Sequence, residues 1–188
     1  MAKRIVLGVT GSIAAYKAAD VIRRLQENGH DVTVIMTAEA ERFISALTLA
    51  SLSGKKVYQD MFAEDGAAWQ MNHIELAQKA DVLLIAPATA NIIGKLACGL
   101  ADDLLSCTAL ATKAKILIAP AMNEEMYKNK IVQDNCDKLK KNGAVFINPV
   151  RGKLACGIVG EGHLADIEDI LKAVKKTPHF VRRNFFAA

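Results

Sequence analysis

Three short segments hold the residue types from which a ligand site can be built. Gly8-Val9-Thr10-Gly11-Ser12 stands between an apolar run and a helical pattern. The first amide N–H groups of a helix have no partner within it, and with the helix dipole they favour a phosphate. Gly11 lets the backbone approach a ligand, and Ser12 either caps the helix or donates to a phosphate oxygen. Ala86-Pro87-Ala88-Thr89-Ala90-Asn91 and Ala119-Pro120-Ala121-Met122-Asn123 close two further apolar runs. Their small side chains let a flat ring lie against the backbone. Thr89 and Asn91 can meet ring carbonyls or polyol hydroxyls, although Thr89 can equally be a helix cap. Two such edges in one sheet point to a shared flat ligand. The dinucleotide fingerprint G-x-G-x-x-G is absent. The second apolar run ends Ile35-Met36-Thr37, where a ribose-binding acid would be expected, and Glu39 already falls in the next element. A mononucleotide is therefore favoured. Thr37 offers a hydroxyl at the same edge, or caps a helix beginning at Ala38.

Other residues bear chemistry singly. His73 can accept a proton near neutral pH, although a lone histidine is ordinarily structural. Asn123, at a strand end, can hold a carboxylate or amide without adding negative charge. Met122 and Met126 read as packing or pocket wall. Arg151-Gly152-Lys153-Leu154-Ala155-Cys156-Gly157 opens a glycine-rich stretch that runs to His163. Its basic residues favour a thiolate at Cys156, and the alternative is a surface loop with an incidental cysteine. Cys98, Cys107 and Cys136 lie in apolar helical stretches and read as core. No C-x-x-C pair and no histidine at zinc spacing is present, so no metal site is expected. Free thiols without an export signal imply a cytoplasmic protein.

The elements that must position these residues follow from periodicity. Ile5–Val9, Val32–Met36, Val82–Ala86, Ile116–Ala119 and Ala144–Ile147 are short, β-branched runs that read as strands buried on both faces. Ile13, Ala14, Lys17, Ala18, Val21, Ile22 and Leu25 share one helical face, closed by Asn28-Gly29. Further helical pieces are expected over Ile92–Leu100, Asp103–Ala111, Ile131–Asn142 and Ile167–Lys176. Repeated strand–helix–strand units make an α/β protein with a parallel sheet of five to six strands and helices on both faces. Ligands in such sheets bind beyond the carboxyl ends of the strands. Residues 54–72 break the rhythm and read as a mobile loop.

The chain has 188 residues, 52% of them hydrophobic, which suits one domain with a full core. The formal net charge is +4, and Lys175, Lys176, Arg182 and Arg183 alone account for it. The body is neutral, so a nucleic-acid face is not expected. No apolar run approaches a membrane span. The expected division is a domain over 1–176 and a basic, flexible tail over 177–188.

Taken together, Gly11-Ser12-Ile13-Ala14-Ala15-Tyr16-Lys17, His73-Ile74-Glu75-Leu76, Ala86–Asn91, Pro120-Ala121-Met122-Asn123-Glu124-Glu125-Met126 and Leu154-Ala155-Cys156-Gly157 carry a resemblance. The chain from Ile5 to Asp166 resembles the homo-oligomeric flavin-containing cysteine decarboxylases. Within that family, the resemblance points to those acting on 4′-phosphopantothenoylcysteine in coenzyme A biosynthesis. It implies a Rossmann-like three-layer α/β/α flavoprotein that binds FMN and assembles as a homotrimer or a multiple of trimers, with sites at subunit contacts. FMN contacts would come from Gly11, Ser12, Ile13, Thr37, Thr89, Ala90, Asn91, Ile92 and Ala121, with Phe43 as a weaker ring-packing candidate. The implied chemistry oxidises the cysteinyl group to a thioaldehyde, loses CO2, and reduces the resulting ene-thiol to 4′-phosphopantetheine. His73 would accept the substrate proton, Cys156 would supply one for the reductive half, and Asn123, Lys153 and Ala155 would face substrate. His163 departs from the family, which commonly has Arg there. The readings set against this are a peptidyl-cysteine oxidative decarboxylase, which has no reductive half for Cys156 to serve, a flavin prenyltransferase, and a non-catalytic regulatory flavoprotein.

Overall fold

The computed structural model describes residues 1–62, 72–153 and 159–178, apart from the side chains of Lys153 and Val159. The strands expected from β-branched runs all form. They are β1 (Arg4–Val9), β2 (Asp31–Met36), β4 (Val82–Ala88), β5 (Lys115–Pro120) and β6 (Val145–Phe146), joined by a two-residue β3 (Val57–Tyr58). The sheet order is β3-β2-β1-β4-β5-β6, with every neighbouring pair parallel. β3 lies inside the stretch expected to be a loop. A two-residue strand shows no alternation, so periodicity does not reveal it. The remainder of that expected loop, residues 63–71, lies outside the described residues.

Alternation along the central strands divides the core into two layers. Ile5, Leu7 and Val9 of β1 and Val82, Leu84 and Ala86 of β4 face one cluster. That layer is completed by α1 (Ala18–Glu27), α2 (Ala46–Ser53) and α8 (Ile167–Lys176), through Val21, Ile22, Leu25, Leu49, Ile170 and Val174. Val6 of β1 and Leu83 and Ile85 of β4 face the other cluster. There they meet α3 (Asn72–Lys79), α4 (Ala90–Cys98), α5 (Leu104–Ala111) and α7 (Lys130–Lys141), through Leu76, Ile93, Leu104 and Leu139. α6 (Glu124–Lys128) is a short helix after β5. A separate antiparallel hairpin, β7 (Val150–Lys153) with β8 (Val159–His163), follows β6.

Three expectations need correction. No helix begins at Ala38; a 3-10 turn spans Ala40–Arg42 instead, and no side chain caps it. The first helical face begins as a 3-10 turn over Ile13–Lys17 before α1 takes over. Of the three cysteines assigned to the core, only Cys136 is buried. Cys98 is exposed and Cys107 half-buried, because their helices present those positions away from the sheet.

The two ends of the described chain are tied by a buried cation. Lys3, only 4% exposed, sends its ammonium to the carbonyls of Val174, Lys175 (3.3 Å) and Thr177 (2.6 Å) at the end of α8. The terminal carbonyls of a helix lack internal donors, and a cation there also meets the negative end of its dipole. Lys3→Met keeps the aliphatic volume but strands these acceptors. We expect a loss of about 2–3 kcal/mol in urea unfolding, with flavin binding unaffected, since Lys3 precedes the amino end of β1 and the Gly8–Ser12 turn lies at its carboxyl end. Residues 179–188, most of the expected tail, lie outside the described residues.

Candidate functional site

Strand order reverses between β1 and β4, and the carboxyl ends of those strands diverge into a crevice there. A cleft of about 710 Å³ opens at this edge. Its floor is the Thr10–Ala14 turn, and its sides include Thr37, Thr89–Ile92 and Ala121–Asn123. The sequence-predicted residues Gly11, Ser12, Ile13, Thr37, Thr89, Ala90, Asn91, Ile92, Ala121 and Asn123 thus converge on one space.

Backbone and side-chain bonds stitch the edge together. The Thr10 hydroxyl donates to the Pro87 carbonyl (2.8 Å) and accepts from the Thr89 amide (3.1 Å). The Ala121 amide donates to the Ala88 carbonyl (3.0 Å). Gly11 packs so closely on Glu39 that a Cβ there would stand 2.3 Å from the Glu39 Cβ. Glycine is required at this turn by the chain's own packing as well as by any ligand. Ser12 caps the 3-10 turn by accepting from the Ala14 amide (3.3 Å), and Thr89 caps α4 by accepting from the Ile92 amide (3.4 Å). Neither hydroxyl donates a hydrogen bond among the described residues, so cap and ligand contact are compatible roles.

Thr37 settles differently. Its Oγ1 is buried and has no hydrogen-bond partner among the described residues. A buried hydroxyl left unpaired costs about 1–3 kcal/mol, and such groups are rare in native proteins. It lines the cleft, so a polar ligand there would satisfy it. Small residues that admit a flat ring, outward hydroxyls, an open helix start and one orphaned hydroxyl fit a flavin mononucleotide.

Asn123 ends the opposite side of the cleft. Its Oδ1 accepts from the amides of Glu125 (2.9 Å) and Met126 (3.4 Å), capping α6. That cap demands an acceptor and so fixes which end of the amide faces the backbone. The Nδ2 donors are directed away from it. Gly162, His163 and Leu164, at the end of β8 and just beyond, form the adjoining wall with Met126.

Other expected residues do not join this cleft. His73 sits in the first turn of α3, outside the lining, with its Nδ1 buried and unpaired among the described residues. α3 leads into the start of a parallel strand, so its first turn points back toward the carboxyl edge. Phe43 is half exposed and also outside the cleft. Ala155 and Cys156 lie outside the described residues, as does the side chain of Lys153. Sequence reasoning missed Thr10, Tyr16, Lys17 and Glu39 as lining residues. Thr10 sits one residue before the glycine and could have been suspected as a tie between edges. The others are brought in by the 3-10 turns, which helical periodicity does not anticipate.

The Flavoprotein family model matches residues 1–179. A probable phosphopantothenoylcysteine decarboxylase of Streptococcus mutans is 46% identical over 178 residues, covering 94% of this chain and 99% of that protein. The coenzyme A biosynthesis bifunctional protein CoaBC of Bacillus subtilis is 47% identical over 178 residues, 95% of this chain but 43% of that one. The chain thus spans less than half the length of such bifunctional relatives. Among solved structures, a PPC decarboxylase mutant complexed with pantothenoylaminoethenethiol superposes with a TM-score of 0.85 at 32% identity, over 93% of this chain and 97% of that one. The FMN binding protein AtHal3 gives a TM-score of 0.81 at 32% identity, over 92% and 95%. With the sheet order, the switch-point cleft and a match running almost end to end, the chain belongs to the Flavoprotein family.

Proposed function

We propose that the protein is an FMN-dependent decarboxylase that converts 4′-phosphopantothenoylcysteine to 4′-phosphopantetheine in coenzyme A biosynthesis. The observation that carries this reading is the cleft itself. It brings the orphaned Thr37 hydroxyl, the Thr89–Ile92 turn and the small Ala121 into one space with the oriented Asn123 amide. The full-length likeness to the Streptococcus mutans protein supports the choice of substrate.

Gly11, Ser12, Ile13, Thr37, Thr89, Ala90, Asn91, Ile92 and Ala121 would hold FMN. When bound, FMN supplies the two-electron chemistry that takes the cysteinyl group to a thioaldehyde and later reduces the ene-thiol, leaving no net oxidation. The chain's own residues bind, orient and move protons. The Nδ2 of Asn123 donates to the substrate carboxylate, which must be held until CO2 departs. His73 accepts the substrate proton. Lys153 and Ala155 face the substrate, and Cys156 returns a proton as the ene-thiol is reduced. His73 does not line the cleft of its own subunit. This agrees with a homotrimer, or a multiple of trimers, in which a neighbouring copy completes each site. No described helix is long and apolar enough to cross a membrane, and a cytoplasmic location suits this pathway.

The test is direct. Purified protein should be yellow, sediment as a multiple of three chains and release CO2 from 4′-phosphopantothenoylcysteine with 4′-phosphopantetheine as product. Colourless protein that takes up no flavin on titration overturns the cofactor assignment. Release of CO2 from a cysteine-terminated peptide, with the ene-thiol as end product, transfers the protein to the peptidyl-cysteine class.

A further inference from the structure

β8 walls the substrate end of the cleft, yet it does not belong to the main sheet. Its described attachments to the Asn123 turn are few and close. The Met122 amide donates to the Gly162 carbonyl (3.0 Å). Gly162 has φ +144°, and a Cβ there would stand 2.2 Å from the Met122 carbonyl oxygen. One residue earlier, the Glu161 amide faces the Glu124 carboxylate and favours its charged form. Glu124 then lies flat against Gly160, where a Cβ would come within 2.1 Å of Oε2. Its other oxygen is held by the Lys128 ammonium (2.7 Å), one turn further along α6. The Lys128 bond foremost, and the facing Glu161 amide next, hold the Glu124 carboxyl below its ordinary range, and Arg151 of β7 adds to the effect. Glu124 does not line the cleft, but it bridges the helix that Asn123 caps and the strand that ends in His163.

We propose that Glu124 is the positioning residue that fixes β8 against the Asn123 turn and so holds the substrate end of the cleft at its working width. The kinetic part of this inference rests on the decarboxylase reading above. Without the carboxylate, the Glu161 amide loses its acceptor and the Met122–Gly162 bond is left to hold the wall. A looser wall weakens substrate and transition state alike, so KM rises while kcat holds. The acceptor matters more than the charge, because the Lys128 pair is exposed at the ammonium end and worth little.

The experiment uses the protein as purified, with three substitutions and two readouts. Losing a hydrogen bond to a charged group corresponds to about a tenfold rise in KM for Glu124→Ala, with kcat within about twofold and flavin content unchanged. Glu124→Gln keeps an acceptor for the Glu161 amide and should stay within about twofold of the unmodified KM. Gly160→Ala should raise KM as Glu124→Ala does by displacing the carboxylate, yet add little in the Glu124→Ala background, because both act on one contact. The second readout needs no turnover. Amide exchange over Gly160–His163 should quicken about tenfold in Glu124→Ala and stay unchanged in Glu124→Gln. An unchanged KM in Glu124→Ala, a fall in kcat at constant KM, or a full extra effect of Gly160→Ala in that background overturns the proposal. If the unmodified protein releases no CO2, the decarboxylase reading fails. The exchange data then decide the clamp by themselves: equal exchange in Ala and unmodified protein overturns it, and faster exchange in Ala alone upholds it.

Discussion

Asn123→Asp should give a folded, flavin-loaded protein whose kcat/KM for 4′-phosphopantothenoylcysteine falls at least about a hundredfold. The fold survives because the substituted atom is not the capping one. Oδ1 of Asn123 takes the Glu125 and Met126 amides, and a carboxylate oxygen does so equally well at a helix start. The change falls on Nδ2, the group directed away from the helix. Aspartate has no donor there and brings a negative charge toward a substrate carboxylate. Two like charges about 4 Å apart repel by about 4 kcal/mol at the effective dielectric of a protein surface, and the lost charge-assisted bond adds to that. Anaerobic and steady-state CO2 release, with flavin absorbance and thermal unfolding as controls, measures the effect. Near-normal turnover would remove Asn123 from the substrate site. Loss of flavin or of folding would show that the cap, not the substrate contact, was disturbed.

The second large effect is a separation of the two half-reactions in Cys156→Ser. Cys156 stands alone in a glycine-flanked stretch beside Arg151 and Lys153. Serine is nearly isosteric, so flavin binding should persist. A hydroxyl is a far weaker acid than a thiol with a pKa of about 8.5, so proton delivery to the ene-thiol should fail. Loss of a positioned general acid costs about 10²–10⁴-fold, and 4′-phosphopantetheine formation should fall within that range. The oxidative half does not need this proton. Anaerobic mixing with substrate should therefore bleach the flavin, release CO2 and leave an oxidised ene-thiol product. Formation of 4′-phosphopantetheine at the unmodified rate would exclude Cys156 as the donor. Failure to bleach the flavin would place the cysteine earlier in the reaction.

Much of this molecule is written in its local sequence. Val32–Met36 and Val82–Ala86 can be recognised as doubly buried strands because short, nearly continuous apolar runs rich in β-branched residues suit a strand with apolar partners on both faces. Turn chemistry is equally local. The glycine–serine turn after β1 and the Ala-Pro edges after β4 and β5 mark strand ends by residue type alone, and alternation of strands with helices then implies a parallel sheet with its ligand at the carboxyl edge. The nine residues expected to touch the cofactor, together with Asn123, come to one cleft for that reason.

What lay beyond sequence reading depends on contacts between distant segments. The order β3-β2-β1-β4-β5-β6, and hence the crevice between β1 and β4, is a choice of pairing partner that no single strand encodes. Thr37 reads from sequence as either a ligand-edge hydroxyl or a helix cap, and only the packed chain decides between them: no helix begins where the cap would serve, and its Oγ1 is buried without a partner among the described residues. Tyr16, Lys17 and Glu39 reach the cleft because 3-10 turns rotate side chains away from the 3.6-residue face. Gly160 and Gly162 read as loop glycines. Their need for a missing Cβ comes from Glu124 and the Met122 carbonyl, some forty residues earlier in the chain, and only tertiary structure brings those atoms within reach.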